Sequence, residues 1–140
     1  MAAALAASAA DRHERTARVV ALRDRLVDGL VAAGVGLRPT VDPALGAPVL
    51  ANLAHLCHDG VDGESLLFLL DEAGVAASAG SSCASGALEG SHVAAALGPG
   101  AAGARATLRL SLGWSTTVDE VEHAVAAIVA AVRRLQEAAA

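Results

Sequence analysis

The chain has 140 residues, enough for one domain with a real core, and a net charge of -5 in which all ten basic residues are arginine. That balance offers no continuous cationic face for phosphate neutralisation and argues against nucleic acid as a partner. The first ten residues lack the basic start and leucine-rich centre of an export signal, and the uncharged run Ala124 to Val132 is far shorter than the ~20 residues of a spanning helix, so the sequence reads as cytoplasmic with no membrane partner. Two cysteines, Cys57 and Cys83, do not have the spacing of a secreted scaffold or a zinc ribbon, and both are expected to be thiols in a reducing compartment.

A helix is expected from about Asp11 to Ala33, with Asp11 and Glu14 as a capping box, Gly34 as the stop and Val19, Leu22, Leu26 and Leu30 as the buried stripe. The alanine-rich residues Met1 to Ala10 either extend this helix or fray. Prolines 39, 43 and 48 then break the chain into short extended runs, with strands expected near Gly36 to Thr40 and Val49 to Cys57. Asp62-Gly63-Glu64 starts a compact helix, Glu64 to Glu72, with so many leucines that most of it is expected to be buried.

Val75 to Ala79 reads as a brief strand entering the segment Gly80-Ser81-Ser82-Cys83-Ala84-Ser85-Gly86, and Ser91 as the N-cap of a short helix, His92 to Leu97. Ala106 to Leu112 alternates, with Leu108, Leu110 and Leu112 on one face and Thr107, Arg109 and Ser111 on the other. A second capping box, Thr117 with Glu120, opens a final helix whose stripe of Val118, Val121, Val125, Ile128, Val132 and Leu135 covers the sheet. No internal repeat interrupts this order, and the fold class expected is α+β, a small antiparallel sheet with helices packed on one face.

Chemistry concentrates at Cys83. Glycines bracket its segment and small residues fill it, the composition of a loop that can swing. A thiol becomes an effective nucleophile when a positive charge, a helix start or a substrate lowers its pKa. From composition alone, a cysteine filling in for serine in a surface turn is an equal reading. His92 is a possible base for Cys83 or a partly exposed residue of a first helical turn. His55, Cys57, His58 and Cys83 offer four metal-ligand types, but strand alternation puts His58 on the face opposite His55 and Cys57. Arg109, on the polar face of an otherwise apolar strand, is suited to grip a carboxylate through two parallel hydrogen bonds, or else is a solvated or ion-paired strand residue.

Three stretches in order, Gly60-Val61-Asp62-Gly63-Glu64-Ser65-Leu66-Leu67, Ala79-Gly80-Ser81-Ser82-Cys83-Ala84-Ser85-Gly86 with Leu88-Glu89 and Ser91-His92-Val93, and Thr107-Leu108-Arg109-Leu110-Ser111-Leu112-Gly113 with Thr116-Thr117, resemble the C-terminal part of a cysteine desulfurase. These are class V aminotransferase relatives that use pyridoxal phosphate. The serine-flanked cysteine is similar to that of the long-loop branch serving iron–sulfur cluster assembly and tRNA thiolation.

The resemblance implies the small C-terminal domain of a fold-type I cofactor enzyme over residues 1–140, with the N-terminal cofactor domain absent. It implies that Cys83 takes sulfur from L-cysteine as a persulfide, leaving L-alanine, and that Arg109 holds the substrate carboxylate. It also implies a sulfur-acceptor protein as partner and a homodimeric complete enzyme. His92 and Cys57 match no catalytic position, and Gly90 stands where relatives commonly have proline. The chain contains no lysine to hold the cofactor as a Schiff base, so the isolated chain is expected to be inactive. A sulfur carrier or docking module without enzymatic activity, or an inactive truncated remnant, are the alternatives.

Overall fold

The computed structural model describes residues 9–78 and 107–140, together with residues 3, 6, 96 and 97. The described residues form three longer helices and three strands: α1 (Arg12–Ala32), β1 (Arg38–Pro39), β2 (Leu53–Cys57), α2 (Gly63–Glu72), β3 (Thr107–Ser111) and α3 (Val118–Ala139). The strands make one antiparallel sheet in the order β1-β2-β3, an α+β arrangement.

Alternation on the strands decides which face is covered. Ala54 and Leu56 of β2 lie opposite Leu110 and Leu108 of β3, and all four are buried in one core with Leu26 and Leu30 of α1, Leu66 and Leu70 of α2, and Ile128 and Val132 of α3. The helices therefore pack on that single face of the sheet. Their α1 stripe is Val19, Leu22, Leu26 and Leu30, as the spacing requires. At Gly29 the two long helices come close: a Cβ there would lie 3.1 Å from a Val125 methyl, so the missing side chain permits the approach. One turn earlier an ion pair joins Arg25 to Glu122. Both partners are exposed, so it adds little to the packing.

Helix starts follow local chemistry, with one correction. Asp62 accepts the Ser65 N–H at 2.8 Å, and Thr117 and Glu120 form the reciprocal box that opens α3. Asp11 makes no such cap. Its backbone (φ -101°, ψ 7°) is not the extended conformation a capping residue adopts, Ala9 and Ala10 before it are already helical, and its carboxylate pairs with Arg15 at 3.1 Å instead.

The strands are shorter than the sequence implies. Val49 and Leu50 are exposed ahead of β2, and β1 contains only Arg38 and Pro39. Thr40 N–H bonds the His55 carbonyl at 3.0 Å, which puts Pro39, one residue back, at an outward-pointing position where its missing donor costs no ladder bond. The expected strand Val75 to Ala79 is reduced to a single bridge, Ser78 to Arg109; Ala79 lies outside the described residues. Helix α2 also departs from expectation. It buries one stripe, Leu66 and Leu70, with Leu67 and Leu69 partly covered, while Phe68 is 64% exposed. A helix packed along one side of α3 has room for one stripe only. Likewise Val118, placed in the α3 stripe, is exposed at the helix start.

Replacing Ile128, which has no solvent exposure, with alanine is expected to destabilise the 140-residue chain by about 2–5 kcal/mol. Replacing Thr117 with alanine is expected to cost about 1 kcal/mol through the lost cap. Urea denaturation followed by circular dichroism measures both, and equal effects would contradict this division between core and cap.

Candidate active site

The sheet face turned away from the helices carries the polar residues. Register places the residues of this face in rows: Arg38, Cys57 and Thr107 in one, Thr40, His55, Arg109 and Ser78 in the next, then Leu53 and Ser111. Arg109 sits inside its row. Its backbone N–H and C=O both bond Ser78, at 2.7 and 3.1 Å, and on its other side it faces His55 across the β2–β3 ladder.

The ladder geometry brings those two side chains close. Leu112 N–H bonds the Asn52 carbonyl at 2.9 Å, which makes the even-numbered pairs Asn52–Leu112, Ala54–Leu110 and Leu56–Leu108 the hydrogen-bonded ones. His55 and Arg109 consequently form a pair without mutual backbone bonds, the kind in which Cα atoms approach to ~4.5 Å and side chains are nearest. His55 is further fixed by Thr40, whose hydroxyl lies 2.8 Å from Nδ1. Burial, and secondly the positive charge of Arg109, push the pKa of His55 below its ordinary value, so the ring is held neutral beside a permanent cation.

Arg109 itself is half-buried. Among the described residues no carboxylate lies within ion-pair distance of it, whereas Arg38 on the same face is paired with Asp59 at 3.0 Å. No residue in the rows named above is acidic. A guanidinium set in the interior of a sheet, with uncharged neighbours on both flanks, is suited to an anion from outside, and its planar fork matches a carboxylate.

Other sequence candidates separate. Cys83 and His92 lie outside the described residues. Cys57 is a free thiol, 1% exposed, whose sulfur lies 3.7 Å from the Arg38 carbonyl. Thr107, expected on the open side with Arg109, is only 2% exposed. His58 is buried with Nε2 2.8 Å from the Val35 carbonyl and its ring against Gly36, where a Cβ would come within 2.9 Å of Nε2 at a φ of 87°. His55, Cys57 and His58 thus each serve different partners, and among the described residues no three histidine, cysteine, aspartate or glutamate side chains are grouped to hold a metal ion. No helix among the described residues is long and apolar enough to cross a membrane. Thr40 and Ser78 are the site residues that sequence patterning did not single out.

The class V aminotransferase family model matches residues 6–124, and the chain belongs to that family. Among its curated relatives, an IscS-like cysteine desulfurase of Mycobacterium tuberculosis is 42% identical over 129 residues, covering 91% of this chain and 32% of that protein. The cysteine desulfurase NifS of Azotobacter vinelandii is 39% identical over 124 residues, covering 89% of this chain and 30% of that protein. Two solved structures share the fold: a NifS-like protein, with TM-score 0.74 at 23% identity over 91% of this chain and 31% of that one, and a NifS-like protein from Rickettsia africae, with TM-score 0.69 at 21% identity over 88% and 30%. The chain thus spans about a third of the length of the proteins it matches.

The family implies pyridoxal phosphate in the complete enzyme. Its covalent attachment needs a lysine amine, and these 140 residues include none. The donor set of this chain does not fit that role.

The His55 ring is expected to titrate below 6.5. Because the folded chain then binds fewer protons than the unfolded one, the His55 contribution to stability is fully present above pH 6.5 and is lost as pH falls through the lowered value. In an NMR titration of the imidazole, Arg109→Gln is expected to raise the value only part of the way back, since burial, the larger cause, remains. No movement at all would contradict the His55–Arg109 proximity.

Proposed function

We propose that this chain supplies the sulfur-accepting and substrate-gripping part of a cysteine desulfurase, with Cys83 as nucleophile and Arg109 as the ligand of the substrate carboxylate. The observation that carries the proposal is the placement of Arg109 within a sheet, flanked by uncharged His55 and Ser78 and with no carboxylate partner among the described residues. The desulfurase relatives support the substrate class.

Arg109 orients L-cysteine by its carboxylate through paired N–H donors. The Cys83 thiolate attacks the substrate sulfur: an S–S bond forms, the Cβ–S bond breaks, and Cβ gains a proton to leave L-alanine. The persulfide on Cys83 then passes to an acceptor protein. Chain connectivity is compatible with both roles in one site. Ser78 is bridged to Arg109, and Cys83 follows Ser78 by five residues in the sequence, a chain length of at most about 18 Å. The cofactor-anchoring lysine comes from a segment other than these 140 residues, and the complete enzyme is a homodimer. A carrier role, in which Cys83 accepts persulfide without catalysis, is the second reading, favoured by the absence of lysine.

In an enzyme assembled with a lysine-bearing cofactor segment, Cys83→Ala is expected to abolish alanine release. Arg109→Gln is expected to raise KM for L-cysteine by about tenfold or more, the loss of a charge-assisted pair worth at least ~1.4 kcal/mol. Steady-state assay of alanine checks both. Full activity in Cys83→Ala would overturn the nucleophile, and an unchanged KM in Arg109→Gln would overturn the carboxylate ligand.

A further inference from the structure

We propose that His55 is a positioning residue for Arg109: a pinned ring directly across the ladder that sets the guanidinium on the open sheet face and leaves its charge for an incoming amino-acid carboxylate. The inference rests on the reading of Arg109 as the carboxylate ligand.

Three observations support it. First, His55 and Arg109 are register partners of the close-approaching kind, so the ring borders the volume in which the arginine side chain can move. Second, the ring is itself fixed at both ends of its residue. Nδ1 meets the Thr40 hydroxyl at 2.8 Å, and the His55 carbonyl accepts the Thr40 N–H at 3.0 Å; Thr40 is buried, so the anchor does not shift with solvent. Third, the ring's neutrality has an electrostatic consequence. A carboxylate at this position would pair with Arg109 internally and compete with a substrate, and a second cation would repel Arg109 and displace its fork. Among the described residues, Arg38, in the neighbouring row, has its charge taken up by Asp59.

The discriminating substitutions are His55→Asp and His55→Asn. Asparagine keeps a hydrogen-bonding atom where Nδ1 stands and stays neutral; aspartate keeps the shape and adds the competing charge. In the assembled enzyme, His55→Asp is expected to raise KM for L-cysteine about tenfold with a much smaller change in kcat, and His55→Asn to recover most of that loss. Thr40→Val, which removes the pin at constant volume, is expected to raise KM by a smaller factor and supplies the test should the aspartate variant fail to fold. A role confined to stability would instead lower the melting temperature in all three variants without separating KM from kcat. Equal KM values for the aspartate and asparagine variants, alongside a raised KM in Arg109→Gln, would overturn this inference alone. An unchanged KM in Arg109→Gln would overturn it together with the carboxylate reading.

Discussion

The register between β2 and β3 is the constraint on which the rest depends. A strand has a period of two, so a slip of one residue would turn Leu108 and Leu110 to the open face and Arg109 into the core. The penalty for burying an unpaired guanidinium, together with the exposure of two leucines, makes the observed pairing the one compatible alignment. It couples hydrophobic packing to chemistry: the leucines that hold β3 against the helices are also what aim Arg109 the other way.

The helices reinforce that alignment from outside the sheet. Arg18 of α1 donates to the Thr116 carbonyl at 2.7 Å and to the Trp114 carbonyl, and Arg23 donates to the Leu50 carbonyl at 2.9 Å. The first helix thereby ties down the turn after β3 and the loop before β2 at the same end of the sheet. Gly29 against Val125 lets α3 lie close enough for Ile128 and Val132 to share the core with Leu30. An arginine placed on such a frame loses little further freedom on binding a ligand, which is the physical benefit of building a site on strands.

Much of this was legible in the residues themselves. The α1 stripe, the Thr117–Glu120 box and the alternation that turns Arg109 away from Leu108 and Leu110 are local patterns, and local patterns survive into the fold. Asp11 shows the limit of such reasoning: helical alanines before it deny it the extended backbone that a cap needs. In α2 the leucine count exceeded what one neighbouring surface can cover, so Phe68 faces solvent. The partners of Arg109 were not readable, because Thr40, His55 and Ser78 are brought to one row by pairing between distant segments, and no spacing in the chain encodes which strand lies next to which. His55 carried a signal, but as a metal-ligand type; its neighbour, not its identity, defines its part.

The central claim is that this chain brings the sulfur-accepting cysteine and the carboxylate-binding arginine to a desulfurase site whose lysine comes from elsewhere. Its most direct test replaces the matching third of the Mycobacterium tuberculosis relative with these 140 residues and measures alanine and sulfide formed from L-cysteine with pyridoxal phosphate and a thiol reductant, beside the 140-residue chain alone. The expected result is stoichiometric alanine and sulfide from the chimera and none from the chain alone. A folded chimera that holds the cofactor yet forms no alanine, or alanine formed by the lysine-free chain itself, would contradict it.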